Sequence, residues 1–325
     1  MQRIAAAIKE RARTLLEEKA VDAMLGWRAG DFSYDPTPGM FGIDDLDCFI
    51  YNGFCAGNLS KYFINQKKDK ILALLKPCDT YSMNQLLLEH RVDRDKVYVL
   101  GVGCDGMIDI EKIRARGVKG ILSVEETGDD LLIDTVYGDR SCPRREVLLE
   151  KCQSCKGKEH KVYDELIGAG ESRETGSEDR FAQVSGLEAM TPDQRFSFWR
   201  GELSKCIRCN ACRNVCPACS CLKCIFDNNR SGVESKANTN SFEENMFHII
   251  RAFHVAGRCT DCGECSRVCP QGIPLHLLNR KHIKDINVYY GGFQAGDGLG
   301  EPGPLTSYSK NDAEPDAAYR RGGAR

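Results

Sequence analysis

The chain has 325 residues, of which 42% are apolar, and this is enough for about two domains of roughly 150 residues each. Its formal net charge of −2 argues against nucleic-acid binding, which normally needs a basic face. No stretch approaches the ~20 apolar residues of a membrane span. Because charges also interrupt residues 1–26 throughout, unlike a signal peptide, we expect a cytoplasmic protein.

The 18 cysteines indicate the class of protein. Disulfides are rare in a reducing cytoplasm, and a disulfide scaffold of this size would need export. Metal ligation is therefore the simplest use for so many thiols.

The first segment has the apolar spacing of an amphipathic helix, formed by Ile4, Ile8, Ala12, Leu15 and Leu16. We interpret it as a helix that packs on the core, with partner docking as the alternative.

Strand-like and helix-like runs alternate through residues 45–155. The predicted helices cover 58–66, 80–88 (capped by Thr80), 110–116 and 146–151. The predicted strands cover 46–51, 71–78, 96–104, 120–124 and 131–136, the last two joined around Gly128. This order predicts an α/β fold with a mostly parallel open sheet, covered by helices, over residues 1–165.

The composition changes twice after residue 165. The polar, glycine-containing stretch 168–180 lies in a predicted linker, residues 166–194. A cysteine-rich segment, 195–290, is the predicted ferredoxin domain. Residues 291–325 have few large apolar side chains and are expected to form an extended tail that cannot fold alone. We expect this tail to lie either on a partner subunit or on its own chain.

The cysteine-rich segment repeats one motif, Cys-x2-Cys-x2-Cys-x3-Cys-Pro. The first copy begins at Cys206 and ends at Pro217, and the second begins at Cys259 and ends at Pro270. Both match the bacterial ferredoxin run that binds two 4Fe–4S clusters, in which the fourth cysteine ligates the other cluster. The predicted ligand sets are therefore Cys206, Cys209, Cys212 and Cys269 for one cluster, and Cys259, Cys262, Cys265 and Cys216 for the other. Zinc also binds paired Cys-x2-Cys, but this spacing fits cubanes better.

Other residues near the motifs have two interpretations each. Three additional thiols belong to Cys219, Cys221 and Cys224. They either shield or tune a cluster or bind another metal, or they are unligated thiols near a cluster. A group of cations either raises the cluster potentials or forms a solvated face; its members are Lys205, Arg208, Arg213, Arg258 and Arg267.

A third cluster is predicted in the first domain. Cys78 and Cys104 end neighbouring predicted strands, and the carboxyl ends of parallel strands share an edge where ligands bind. Cys152 and Cys155 supply two further thiols, and Cys142 is an alternative ligand. Scattered structural cysteines are the competing interpretation. Cys48 and Cys55 are expected to be ordinary buried cysteines.

Gly101, Gly103 and Gly106 match the G-x-G-x-x-G dinucleotide fingerprint after a strand, with Glu125 or Glu126 about twenty residues further on. The short following helix and the cysteine within the loop oppose this interpretation. The three glycines remain a candidate flavin or nicotinamide site.

The run Cys206 to Cys224, the segment Lys76-Pro77-Cys78-Asp79, the glycine loop and Cys152-x2-Cys155 together resemble a known family. It comprises the beta subunits of deazaflavin-coenzyme-reducing hydrogenases and formate dehydrogenases. The resemblance implies an electron relay between a catalytic subunit and a second redox partner. Some members carry FAD and reduce the deazaflavin coenzyme, which makes FAD a further candidate cofactor.

The sequence thus predicts a non-catalytic iron–sulfur electron-transfer subunit of an anaerobic oxidoreductase complex. The complex would be of the hydrogenase, formate dehydrogenase or heterodisulfide-reductase-linked type. No acid–base or nucleophile constellation is evident. The alternative is an FAD-containing subunit that oxidises or reduces a deazaflavin or nicotinamide coenzyme. A zinc-stabilised binding protein is a third hypothesis that the motif spacing opposes.

Overall fold

The computed structural model describes residues 2–64, 66, 70–157, 159–168, 179–228, 241–300 and 303–307. The chain divides into two compact units, Met1–Arg180 and Phe181–Arg325. Across these described ranges, no helix combines the length and the apolar character needed to cross a membrane.

The first unit contains nine strands, four α-helices and four 3-10 turns in its described part. The helices are α1 (Gln2–Glu17), α2 (Pro77–Leu88), α3 (Ile110–Ala115) and α4 (Glu150–Gln153). The strands are β1 (Ala23–Arg28), β2 (Thr37–Phe41), β3 (Phe49–Ile50), β4 (Ile71–Leu75), β5 (Val97–Val102), β6 (Ile121–Thr127), β7 (Asp130–Thr135), β8 (Arg140–Pro143) and β9 (Glu165–Ile167). The 3-10 turns are Leu46–Cys48, Leu59–Phe63, Arg94–Lys96 and Arg144–Val147.

The larger sheet is mixed, with strand order β2-β1-β4-β5-β9 and β3 also paired with β1. Strands β1, β4, β5 and β9 run parallel, whereas β2 and β3 pair antiparallel with β1. Every residue of β4 is buried, as expected for a central strand covered on both faces. The predicted parallel arrangement therefore describes the centre of the sheet, and the antiparallel edge was not predicted.

Helix α1 covers the sheet as its apolar spacing predicts. Ile8, Ala12 and Leu15 are buried in the main core, and Ile4 and Leu16 pack against it. The interpretation of this segment as a packing helix is confirmed.

The predicted strand 71–78 is too long, because β4 ends at Leu75 and α2 begins at Pro77. Proline suits the first helical position, since its fixed φ is helical and its missing N–H is not needed there. Cys78 therefore lies in the first turn of a helix, not at the end of a strand. Thr80 does not cap this helix; its hydroxyl donates to the Pro77 carbonyl at 2.7 Å.

The predicted strands 120–124 and 131–136 exist, but they belong to a separate antiparallel sheet of order β6-β7-β8. Gly128 supplies the left-handed turn between them, with φ of +61°. Ile113 of α3 and Val147 pack beneath this sheet with Leu131 and Ile133. The predicted helix 146–151 is instead a 3-10 turn ending at Val147, followed by the four-residue helix α4.

The second unit is helical in its described part, with six α-helices and one 3-10 turn, Ile225–Asp227. The helices are α5 (Ala182–Ala189), α6 (Pro192–Leu203), α7 (Ala211–Asn214), α8 (Ser241–His254), α9 (Glu264–Arg267) and α10 (Leu275–Tyr290). Helix α5 falls inside the segment expected to be a linker. The two shortest helices, α7 and α9, lie at equivalent places in the two cysteine motifs.

Candidate iron–sulfur sites

The two cysteine motifs fold into equivalent loops. In each, the residue before the second cysteine and the residue after it adopt left-handed backbone conformations. These residues are Arg208 and Asn210 in the first loop, and Asp261 and Gly263 in the second, with φ between 54° and 68°. A short helix, α7 or α9, then carries the third cysteine. The repeated conformation curls each loop around its own cysteines.

The first cysteine set surrounds one cavity. Cys206, Cys209 and Cys212 line it together with Cys269, which comes from the second motif. Burial raises the pKa of the Cys212 thiol to about 11, and the nearby thiols of Cys265, Cys206 and Cys269 add to this rise against the charge of Arg251. The structure thus brings the fourth cysteine of the second motif to the first loop.

The second cysteine set includes Cys216, which is the fourth cysteine of the first motif. Cys259 lies beside Cys216 and Cys262, and Cys265 lies beside the same two thiols. Burial raises the pKa of Cys265 to about 12, with Arg251 opposing and Cys216 and Cys262 adding. Each set therefore offers four thiols, the number that a 4Fe–4S cubane takes, and the donor chemistry fits that group.

Single-ion sites were also sought in the part of the chain that the structure describes. There, no three His, Cys, Asp or Glu side chains are grouped closely enough to hold one metal ion.

Helix α10 anchors the second loop through buried polar contacts. The Arg280 guanidinium pairs with the Asp261 carboxylate at 2.9 Å, and both side chains are buried. The Asn279 side-chain amide donates to the Cys265 sulfur at 3.8 Å. These contacts fix the loop and place one amide donor on a candidate ligand.

The cations predicted near the motifs differ in their surroundings. Three of them pair with carboxylates that offset their charge: Lys205 with Glu202, Arg213 with Asp227, and Arg267 with Glu264.

The two remaining predicted cations are not equivalent. Arg258 approaches the His254 carbonyl and the Ser220 hydroxyl. Arg208 is buried, lines the first cavity, and lies 4.6 Å from the centre of the Phe247 ring. Arg208 is therefore the predicted cation best placed to act on the first set.

Two residues of α8 were missed by the sequence analysis. The buried Arg251 guanidinium donates to the Cys212 carbonyl at 2.8 Å. His248 lines the first cavity and is also buried. Burial, together with the charges of Arg251 and Arg208, lowers the pKa of His248 to about 3. Their sequence signal is weak, since each is one polar residue on an amphipathic helix.

The three additional cysteines do not form one group. Cys219 hydrogen-bonds with Cys216, an interaction that raises the pKa of Cys216 above its usual range, as burial also does. Cys224 is a hydrogen-bond partner of Arg213. Cys221 is exposed.

Three of the four cysteines proposed for the first unit lie near one another. Cys104 and Cys152 are buried in one small apolar cluster, and Cys78 lies close enough to interact with Cys104. The Cys152 sulfur accepts the Met107 N–H at 3.3 Å. Cys155 is partly exposed after α4, where its thiol approaches the Gly157 carbonyl.

The other cysteines of the first unit are placed elsewhere. Cys142 is buried in the core of the small sheet, in a different apolar cluster from Cys104 and Cys152. Cys55 is buried as expected, and burial raises the pKa of its thiol to about 12. The expectation for Cys48 was wrong, because the side chain of this last residue of the 3-10 turn Leu46–Cys48 is exposed.

A fully buried ion pair flanks Cys78. The Lys76 ammonium lies 2.8 Å from the Asp79 carboxylate, and neither side chain has measurable exposure. Burial alone would lower the pKa of Lys76, but Asp79 and Cys78 raise it above its usual value. The burial of Cys78 raises the pKa of its thiol, with Asp79 adding and Lys151 and Lys76 opposing.

The glycine loop that carries Cys104 is shaped by its own chain. A Cβ at Gly101 would lie 2.6 Å from the Leu166 side chain, and one at Gly103 would lie 2.2 Å from the Gly168 carbonyl oxygen. Gly106 has φ of +87°. Close packing beside β9 thus accounts for two of these glycines, and a left-handed turn accounts for the third.

Arg144 closes the same loop. Its guanidinium donates to the Asp105 and Gly106 carbonyls at 2.7 and 2.6 Å and to the Glu126 carboxylate at 2.9 Å. Glu126, considered as a ribose ligand from its spacing, is therefore engaged by a buried arginine of the 3-10 turn that follows β8.

Comparison with known proteins agrees with this organisation. A family model described as a 4Fe–4S dicluster domain matches residues 202–273. The F420-dependent formate dehydrogenase subunit beta of Methanocaldococcus jannaschii is 23% identical, with 83% of this chain and 86% of that protein covered. The F420-dependent formate dehydrogenase 1 subunit beta of Methanococcus maripaludis is 24% identical, with 74% and 78% covered.

A solved structure was also matched. It is a xenon derivative of the F420-reducing NiFe hydrogenase complex from Methanosarcina barkeri, in which one chain is 16% identical with a TM-score of 0.37. The match covers 46% of this chain and 58% of that chain. The resemblance expected from the sequence is confirmed: the chain is similar over most of its length to two F420-dependent formate dehydrogenase beta subunits, and its residues 202–273 match a 4Fe–4S dicluster domain.

Proposed function

We propose that this chain is an iron–sulfur electron-transfer subunit of an oxidoreductase complex, relaying single electrons between a catalytic subunit and a second redox partner. The relatives named as formate dehydrogenase subunits favour a complex of the formate dehydrogenase type. Bound 4Fe–4S clusters supply one-electron chemistry. The role of this chain is to hold them close together, shielded from water, and to set their potentials.

The observation that carries this proposal is the exchange of fourth cysteines between the motifs. Cys269 lines the first cavity with Cys206, Cys209 and Cys212, while Cys216 lies beside Cys259 and Cys265. This exchange joins the two sets, and a single residue, Arg251, approaches thiols of both. Such an arrangement favours rapid exchange of electrons within the domain and requires no substrate pocket.

A third cluster in the first unit is part of the proposal. Cys78, Cys104 and Cys152 lie near one another, and Cys155 follows three residues after Cys152. Lys76 and Lys151 both interact electrostatically with Cys78. Because Lys76 is paired with Asp79, whose charge opposes a thiolate at Cys78, Lys151 is the cation that would offset the negative charge of a thiolate-ligated cluster at this position.

The alternative is a flavin-containing subunit that reacts with a deazaflavin or nicotinamide coenzyme. This alternative is supported by the names of the two relatives, which are subunits of F420-dependent enzymes. Packing within the chain accounts for the glycines of the candidate dinucleotide loop, so we favour the relay.

Iron and acid-labile sulfide per chain, measured on protein purified without oxygen, test the number of clusters. We expect about 12 iron atoms per chain, four for each of three cubanes. About 8 would refute the third cluster, and a colourless protein with a value near zero would refute the relay. One flavin per chain with about 8 iron atoms would instead establish the alternative.

The ligand exchange has its own test. Cys216→Ala is expected to alter the same electron paramagnetic resonance (EPR) signal as Cys259→Ala, and to leave intact the signal lost in Cys206→Ala. Cys221→Ala, which removes an exposed thiol outside both sets, is the matched control and should keep both signals. If Cys216→Ala reproduced the spectrum of Cys206→Ala, the assignment of Cys216 to the second set would be wrong.

A further inference from the structure

Helix α8 comes from the segment that separates the two cysteine motifs, so it is not part of the repeated ferredoxin unit. It packs against α6 and α10. Along it, Phe247, His248, Arg251 and Ala252 are buried. A histidine and an arginine on the buried side of a helix are costly unless they have polar partners.

Arg251 occupies a position shared by both cysteine sets. Its guanidinium donates to the Cys212 carbonyl of the first set at 2.8 Å. It also interacts with the thiols of Cys216 and Cys265 of the second set. The side chain is only 3% exposed, and its Nε has no protein hydrogen-bond partner among the described residues. An arginine keeps its charge at any ordinary pH, so a fixed positive charge lies beside both sets.

His248 faces the first set. It lines the cavity formed by the first cysteine set and is 2% exposed. Neither ring nitrogen has a hydrogen-bond partner within the described part of the chain. A neutral imidazole carries one N–H, and a buried N–H that faces thiolate and sulfide ligands has acceptors available in the cluster itself.

We propose that α8 sets the potentials of the two clusters, with Arg251 acting on both and His248 on the cluster of the first set alone. This inference rests on the proposed function, because it assumes that both cysteine sets hold clusters. Positive charge and hydrogen bonds near the sulfurs stabilise the reduced, more negative cluster. Both residues are positioning and tuning groups that ligate no iron.

Potentiometric titration of the anaerobic protein, followed by EPR, tests this division of roles. Arg251→Met should make both midpoint potentials more negative by at least a tenfold change in the reduction equilibrium, which is ~59 mV for one electron. Arg251→Lys keeps the charge and should shift both potentials much less. His248→Phe should lower one midpoint potential and leave the other unchanged.

The controls use the same residue types at exposed positions. Arg200→Met on α6 and His254→Phe at the end of α8 should leave both potentials unchanged. If Arg251→Met loses iron, Arg251→Gln decides the question. It retains an amide donor for the Cys212 carbonyl without the charge, and should shift both potentials in the same direction.

Two results would overturn the inference. One is an Arg251 variant with full iron content in which either potential stays at its wild-type value. The other is a His248 variant in which both potentials move together. Failure of the proposed function is separate, because it would appear in the wild-type protein as iron and sulfide too low for two clusters.

Discussion

The buried Lys76–Asp79 pair makes the most demanding test of how the first unit is stabilised. Besides the carboxylate of Asp79, the Lys76 ammonium donates to the carbonyls of Cys55 and Gly57 at 3.1 and 2.9 Å. It also lies 4.5 Å from the centre of the Trp27 ring. One side chain thus connects the start of α2, strand β1 and the loop after β3.

Lys76→Met removes the charge but keeps most of the volume. Asp79 would remain as a buried carboxylate without its cation, and removing one partner of a buried pair costs about 3–5 kcal/mol. For a unit of this size, each kcal/mol corresponds to roughly 2–4 °C in the thermal midpoint, so a fall of roughly 6–20 °C is expected. The double variant Lys76→Met/Asp79→Leu should recover part of the loss, because it removes both charges.

Tryptophan fluorescence can follow this unfolding, since Trp27 lies in the first unit and Trp199 in the second. A Trp199→Phe background makes Trp27 the only reporter. Lys119→Met, which removes an exposed lysine from the same unit, is the matched control and should leave the midpoint unchanged. A loss below about 1 kcal/mol for Lys76→Met, the range of a surface pair, would refute the argument from burial.

Two further predictions concern the second unit. Burial raises the pKa of Glu188, but hydrogen bonds and charge from Lys281 and Lys284 outweigh it and hold this pKa below its ordinary value of 4.5. The pairing therefore stabilises the folded unit above about pH 4.5. This stability is lost as the pH falls through the lower pKa of the folded state. Glu188→Gln should reduce that acid-dependent loss, measured as the thermal midpoint between pH 6 and pH 3. Asn210 has φ of 61°, so Asn210→Ala should cost about 1 kcal/mol while Asn210→Gly should be close to neutral in the same assay.

The features that follow from local spacing were predicted most accurately. Helix α1 has a regular apolar stripe, and the all-apolar core of β4 left little alternative to a central strand. The β4 error was also local: the apolar pattern continues through Pro77, and the preference of proline for the first helical position was not weighed.

The features that depend on distant partners were not predicted. Strand β9 has three residues and exists because it pairs with β5, so its own sequence has no recognisable pattern. The burial of Lys76 depends on Trp27, Cys55 and Gly57, none of which is near it in sequence. Arg251 was missed for the same reason. Its local sequence shows only one polar residue near the end of an amphipathic helix, and its partners are distant in sequence.

A duplicated motif alone would make two similar sites, so any difference between them must come from residues that break the repeat. Arg208 and Asp261 occupy equivalent left-handed positions in the two loops but carry opposite charges. Asp261 is neutralised by Arg280, whereas Arg208 lines the first cavity, which His248 also faces. The two sets therefore differ in the charged and polar side chains that lie beside them. Since positive charge near a cluster favours its reduced state, we expect two clusters bound at these sets to differ in midpoint potential, which potentiometric titration of the wild-type protein measures directly.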